Sequence, residues 1–164
     1  MHARYHIRPM RQRDLDGILR VEQASFGSDA YDRKLFAEYS HTSEGLFLVA
    51  ESGGRVRGYS LTQASGERAE LVSIAVDPPA RGKGAASALL RSTIRRLRRR
   101  KIERLSLMVR LTNTVARAFY EKYGFTKVRI VRGYYEDGGD GCVMRRTLSS
   151  PSQPTGMMGT GGLP

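Results

Sequence analysis

The apolar positions of this chain fall into short runs of two kinds. Some alternate or run unbroken over four to eight residues, as strands do; others recur every three or four residues, as on one face of a helix. Tyr5 to Pro9 reads as a short first strand. From Arg13-Asp14 onward Leu15, Ile18, Leu19 and Glu22 share a helical spacing, with Asp14 as the expected cap. Ala24 to Tyr31 reads as a loop, and Asp32 opens a second short helix carrying Leu35, Phe36 and Tyr39. Leu46 to Glu51 and Val56 to Gln63 are strands joined by Ser52-Gly53-Gly54-Arg55, a hairpin signal. Ala69 to Val76 is the fourth strand, stopped by Asp77-Pro78-Pro79 because proline cannot donate to a ladder. A helix over 84–100 places Leu90, Ile94 and Leu97 on one side.

Arg104 to Arg110 alternates and is the fifth strand. A helix beginning at Thr112 or Asn113 runs through Tyr123, with Val115, Ala116, Phe119 and Tyr120 as its apolar stripe and Gly124 as its stop. Phe125 to Arg132 and Gly141 to Leu148 form a last pair of strands around Asp137-Gly138-Gly139-Asp140. The order β-α-α-β-β-β-α-β-α-β-β predicts an α/β domain over residues 1–148, a mixed sheet covered by helices. Residues 149–164 are Ser/Pro/Gly-rich and uncharged and are expected to form a flexible tail.

Composition changes this picture at two points. The net charge of +12 makes the surface attractive to anions: a polyphosphate, an acidic protein, RNA or anionic lipid. The single cysteine, Cys142, excludes an internal disulfide and reads as a buried structural thiol among apolar neighbours. The chain shows neither a signal-peptide core nor an apolar run of membrane-spanning length, so a cytoplasmic protein without a membrane partner is expected.

The chemistry gathers at Leu71 to Leu97. A buried strand, the turn Arg81-Gly82-Lys83-Gly84-Ala85-Ala86 and a helix N-terminus follow one another. Free amides of a first helical turn point outward and the helix dipole favours negative charge, so this arrangement predicts a phosphate near the start of the helix. An ordinary strand–turn–helix with a solvated basic turn is the other reading. The turn is neither a Walker loop nor a dinucleotide fingerprint.

The stretch IAVDPPARGKGAASALL resembles the coenzyme A-binding segment of GNAT-superfamily N-acetyltransferases, whose loop reads [RQ]-x-x-G-x-[GA]; Arg81, Gly84 and Ala86 fill those places. LMVRLTNTVARAFYEKYGF (107–125) and VRGYYEDGGDGCVM (131–144) resemble the matching parts of RimI-type protein N-acetyltransferases. The resemblance implies the single-domain GNAT fold and acetyl-CoA as acetyl donor, with no metal. It implies that the backbone of Ile74, Ala75 and Val76 pairs with the pantetheine arm beside a bulge. Arg81, Gly82, Lys83, Gly84, Ala85, Ala86 and Ser87 would hold the pyrophosphate, and Asn113 would touch the coenzyme or simply cap its helix. Tyr120 falls on the family tyrosine that faces the sulfur and acts as general acid.

The chain departs from that pattern at the base. RimI-type enzymes carry a glutamate where Leu105-Ser106-Leu107-Met108-Val109-Arg110 has Met108, which cannot accept a proton. Glu70 lies where histone-type members carry their basic glutamate, and it is the expected general base, acting through water. Tyr134-Tyr135 match the tyrosine pair of protein-directed members, and Phe26 and Tyr31 border the acceptor region; Tyr31, Tyr134 and Tyr135 are the expected substrate contacts.

The reaction expected is direct acetyl transfer to a protein or peptide amine, either an N-terminal α-amine or a lysine ε-amine. A small-molecule amine acetyltransferase, a non-catalytic coenzyme A-binding or ribosome-associated module, and a basic RNA-binding protein are the alternatives. The run Arg95 to Lys101 reads as a solvated basic face, or as a dock for an acidic protein or ribosomal RNA. No stacking aromatics are interleaved with it, so a dedicated nucleic-acid module is not expected. The chain is expected as a monomer or homodimer.

Overall fold

Seven stretches with strand patterning pair into one sheet in the computed structural model, which describes residues 4–148. The predicted tail, 149–164, lies outside the described residues. The strands are β1 His6–Pro9, β2 Phe47–Ser52, β3 Arg55–Ser65, β4 Arg68–Val76, β5 Arg104–Arg110, β6 Thr126–Val131 and β7 Gly141–Thr147. The helices are α1 Leu15–Phe26, α2 Arg33–Thr42, α3 Ala85–Arg99 and α4 Thr114–Lys122. The sheet order is β1-β2-β3-β4-β5-β7-β6, antiparallel except where β5 pairs parallel to β4. That parallel step needs a crossover, and α3 supplies it.

Both faces of the sheet are covered, which is why β2, β3 and β4 are apolar on both sides. Ile18, Val21 and Phe36 from α1 and α2 pack with Phe47, Val49, Tyr59 and Ala75 on one face. Leu90, Ile94 and Leu97 of α3 and Tyr120 of α4 pack with Leu71, Leu105, Leu107 and Met144 on the other. Cys142 lies fully buried in that second layer.

Most predicted elements stand within a residue or two of their expected bounds, and Asp32 does cap α2, accepting from the Leu35 amide at 2.9 Å. Three local expectations fail. The loop expected from Ala24 begins later, because α1 runs on through Phe26 and a tight turn follows over Gly27–Asp29. Asp14 does not cap α1, because a stronger partner competes for its carboxylate. Arg8 of β1 holds it in a two-pronged pair at 2.7 and 2.9 Å, and the Arg11 amide adds a third bond at 2.7 Å. Val115 does not join the α4 stripe; it is 82% exposed, facing the open cleft described below rather than the core.

The Arg8–Asp14 pair is 9% and 6% exposed and pins the start of α1 to β1, while Glu51 of β2 takes the Arg8 Nε at 2.9 Å. Burial pushes the Asp14 carboxyl up, but the Arg8 guanidinium and the Arg11 amide outweigh it and hold it below the usual carboxylate range. Glu51 keeps Arg8 from being orphaned, so Asp14→Asn is expected to cost about 2–3 kcal/mol at neutral pH, the low end for breaking a buried pair. A native pKa below the unfolded value means that the contribution is complete above about pH 4 and is lost as pH falls through the depressed native pKa. Urea unfolding of the two proteins at pH 7 and pH 2.5 checks both points; the gap between them should narrow at the lower pH.

Candidate active site

The site begins where two strands part. β4 and β5 pair only from Arg68/Arg104 to Leu71/Leu107. At the next residue, Val72, β4 bulges: Leu61 of β3 faces Ser73, while Thr62 faces Leu71. Two consecutive β4 side chains therefore turn to the α1 face, Val72 into the apolar layer and Ser73 toward Glu22. A bulge bends its strand and increases its twist. Beyond it Ile74, Ala75 and Val76 keep their β3 partners but have no β5 partner.

A cleft of about 620 Å³ passes through this gap. On the α3 side it is walled by Gly82, Gly84, Ala85, Ala86 and Ser87, then by Asn113, Val115, Ala116, Phe119 and Tyr120. Gly82 and Gly84 have φ of +78° and +92°, a left-handed backbone that a side chain would strain, and a Cβ at either would meet no atom within 4 Å. Conformation, not space, requires glycine there. The turn thereby aims the opening amides of the 15-residue α3 at the cleft. Lys83 lies outside the lining. Arg81 borders the cleft, but its side chain folds back: Nε donates to the Val76 carbonyl at 2.9 Å and Nη2 to Ser25 of α1 at 3.0 Å. It fixes the end of β4 to α1, and takes up one of the backbone groups expected to meet a ligand. Asn113 caps α4, accepting from the Ala116 amide at 3.1 Å, and lines the cleft as well.

Tyr120 is 9% exposed and packs edge-on against Phe119 and Phe125 at 5.4 and 5.7 Å. Its hydroxyl has no protein partner among the described residues. Burial, with a smaller contribution from Tyr135, pushes the phenol well above its usual range, so it is a protonated donor at neutral pH.

On the α1 side the cleft meets Glu22, Tyr31, Met108, Arg110 and Tyr135. Glu22 is 2% exposed. The Tyr59 hydroxyl donates to its Oε1, Ser73 donates to the same oxygen at 3.1 Å, and the Tyr31 amide donates to Oε2 at 2.9 Å. Burial dominates over the Tyr31 and Ser73 hydrogen bonds and raises its pKa above the usual glutamate value. Met108 shares the mouth and offers no acceptor for a proton.

Glu70 stands elsewhere. It is exposed, ahead of the bulge, and does not line the cleft. It lies close enough to Tyr31 to add, after burial, Tyr134 and Glu22, to the effects that push that phenol up to about 12. Tyr31 and Tyr135 line the cleft; Tyr134 is 51% exposed and stacks edge-on against Tyr135 at 5.0 Å. Glu22 escaped the sequence reading as a candidate, although a carboxylate on the apolar side of a helix is itself a signal, since burial demands partners for it.

A second feature joins the lips of this mouth. Arg110 at the end of β5 bonds Asp29 of the α1–α2 connection at 2.6 Å and Asp137 of the β6–β7 connection at 3.1 Å, and its guanidinium lies 4.1 Å from the Tyr135 ring centre. Among the described residues no three His, Cys, Asp or Glu side chains gather as a metal site.

Residues 14–125 match the family model described as the acetyltransferase (GNAT) family. The [ribosomal protein bS18]-alanine N-acetyltransferase of Escherichia coli (strain K12) is 33% identical over 122 residues, covering 74% of this chain and 81% of that protein. An N-alpha-acetyltransferase of Sulfurisphaera tokodaii is 31% identical over 157 residues, covering 88% and 93%. Among solved structures, Ard1 from Thermoplasma volcanium superposes with a TM-score of 0.85 at 26% identity, covering 89% of this chain and 99% of that one.

The bridge through Arg110 makes a prediction that needs no substrate. Arg110→Ala is expected to speed amide hydrogen exchange several-fold in both connections, 27–32 and 133–140, while β4 and β5 exchange as before. Exchange read by mass spectrometry checks it; acceleration on one side only would mean that the two lips are held independently.

Proposed function

The chain belongs to the GNAT acetyltransferase family, and within it we propose that it transfers an acetyl group from acetyl-CoA to the N-terminal α-amine of a protein or peptide. The observation that carries this reading is the continuity of the cleft: Tyr120 and Glu22 line it from opposite faces of the sheet, at the point where β4 and β5 part. Donor and acceptor can then meet end to end through the sheet. Two relatives, named for acetylating an alanine of a ribosomal protein and for N-alpha-acetylation, support an α-amine acceptor.

The residues fit the donor. The glycine-bearing turn and the amides opening α3 suit a pyrophosphate, and the free edge of Ile74 and Ala75 suits an extended amide-bearing arm. Acetyl-CoA supplies the acetyl group already activated as a thioester. What remains for the protein is to orient it, to relieve the attacking amine of its proton, and to return a proton to the departing sulfur.

Glu22 takes the proton of the amine, directly or through a water in the mouth. Its raised pKa suits that task better than an ordinary surface carboxylate, because a base works best with a pKa near the working pH. Tyr59 and Ser73 fix its orientation without neutralising it, as no cation pairs with it among the described residues. Tyr120, protonated and with an unpartnered hydroxyl, donates to the sulfur. Glu70 is left as a charge at the rim, where it attracts a cationic chain end. Tyr31, Tyr134 and Tyr135 frame the entering backbone.

Mass spectrometry of a peptide pool incubated with acetyl-CoA tests the reaction, and fragmentation maps the modified nitrogen. Acetyl on the α-amine is expected; acetyl confined to lysine side chains, or to small amines only, overturns the reading. For the residues, Tyr120→Phe and Glu22→Gln should each lower kcat by roughly 10²–10³-fold, within the range of a lost general acid or base. Glu22→Gln should also remove the limb of the pH–rate profile below the titration of the substrate amine, since that limb reports deprotonation of Glu22. Glu70→Gln should raise KM modestly and leave kcat in place. Loss of kcat in Glu70→Gln with full activity in Glu22→Gln would return the base to β4.

A further inference from the structure

A second groove lies on the outer side of α3, away from the cleft. Arg91, Arg95, Arg98 and Arg99 of α3, Arg146 of β7 and Tyr123 at the end of α4 line it, with Ile94 as its floor. Its volume is about 630 Å³ and no acidic residue borders it. Among the described residues none of these five guanidiniums has a carboxylate partner. Three are tied to neutral oxygens: Arg98 to the Leu148 carbonyl at 3.2 Å, Arg146 to the Tyr123 carbonyl at 2.7 Å and Arg91 to the Tyr123 hydroxyl at 3.4 Å. Those bonds hold the cations in place without discharging them.

Helix electrostatics do not account for the cluster. Cations complement a helix dipole only within its last turn, whereas Arg91 and Arg95 stand inside a helix that ends at Arg99. Arg91 with Arg95, and Arg95 with Arg99, are like-charged pairs one turn apart, which destabilise a helix. Burial and the field of Arg98 push the Arg146 guanidinium down, another sign of uncompensated positive charge. The surface is therefore electrostatically strained until an anion covers it.

We propose that this groove binds single-stranded RNA through its phosphate backbone, with Tyr123 stacking on a base. The cations are all arginine, whose planar forks match phosphate oxygens and stack on bases, where lysine would act as a point charge. The aromatic is what linear sequence did not show. Tyr123 lies 24 positions beyond Arg99, and the α4–β6 turn and Arg146 bring it into the arginine row. A cationic track with an aromatic platform is the pattern of single-strand binding. An acidic polypeptide would need the cations but not the ring.

Fluorescence anisotropy of a labelled single-stranded RNA, measured on the full chain with saturating coenzyme A, tests this. About five phosphate contacts predict a log–log salt slope of about −3.5. The double variant Arg95→Glu/Arg99→Glu should weaken binding at least tenfold and flatten the slope by about 1.4 or more, two contacts' worth. Its thermal midpoint should not fall, because it removes like-charge repulsion. Tyr123→Phe, which keeps the ring and gives up only the Arg91 contact, should bind far closer to the parent than Tyr123→Ser, which should lose about 5- to 150-fold, the worth of one stacked base. RNA binding unchanged by the double variant, or abolished by coenzyme A, would overturn the proposal. So would equal competition by polyglutamate of matched charge, which would make the groove a dock for acidic protein.

Discussion

The parting of β4 from β5 is the constraint on which the rest depends. A parallel pair joined by a crossover helix would ordinarily zip along its whole length, burying its backbone groups. Here the bulge at Val72 prevents this. It sends two consecutive side chains to one face and turns the strand away after Leu71, while β3 keeps hold of the other edge to Val76. The result is a sheet with a cleft through it and a backbone edge open to a ligand. The glycine turn after β4 then opens α3 onto the same gap. Arg81 completes the frame by tying the Val76 carbonyl to Ser25 of α1. One extra residue in one strand thus creates both halves of the site.

A buried carboxylate is the price of using that gap from the α1 side. Glu22 has lost nearly all contact with solvent and has no countercharge among the described residues, where hydrogen bonds alone stabilise it. Its partners come from three separate segments: Tyr59 of β3, Ser73 at the bulge and the Tyr31 amide after α1. Ser73 reaches it only because the bulge turns that side chain inward. The feature that opens the cleft also supports the carboxylate within it. Met108 on β5, where related enzymes are expected to carry an acid, adds no countercharge to the mouth, and burial raises the Glu22 pKa.

Much of this architecture is legible in one sequence because its signals are local. Alternation in Arg104–Arg110, the Gly-Gly hairpin and the glycine after Tyr123 each specify an element without reference to the rest. The glycine turn at 82–84 is legible for the same reason, since a side chain would strain its backbone. What stays hidden depends on partners distant in sequence. Asp14 looks like a cap until Arg8 is seen beside it, and a two-pronged buried pair is stronger than one capping bond. Val115 fits an apolar stripe until the fold turns it to the cleft instead of the core. Glu22 reads as one more residue at helical spacing, and only depth distinguishes a buried carboxylate from a solvated one. Glu70 matches a motif, but no motif records whether a strand end is covered.

Charge is divided between the two sides of the molecule in a way that the net value of +12 conceals. Around the α1 mouth stand Glu22, Asp29, Glu70 and Asp137, against Arg110, which two of those acids already occupy, and Arg81, which is folded back onto Val76 and Ser25. On the outer side of α3 the charged residues that line the groove are all arginines. Salt screens such fields over about 8–10 Å, so each side acts on its own ligand and neither cancels the other. A cationic chain end therefore meets a locally negative mouth on a positive protein. A polyanion in the arginine groove would lie on the opposite side and leave that mouth open. A basic protein can accept a positively charged substrate for this reason: the sign at the entrance, not the sum over the surface, governs the approach.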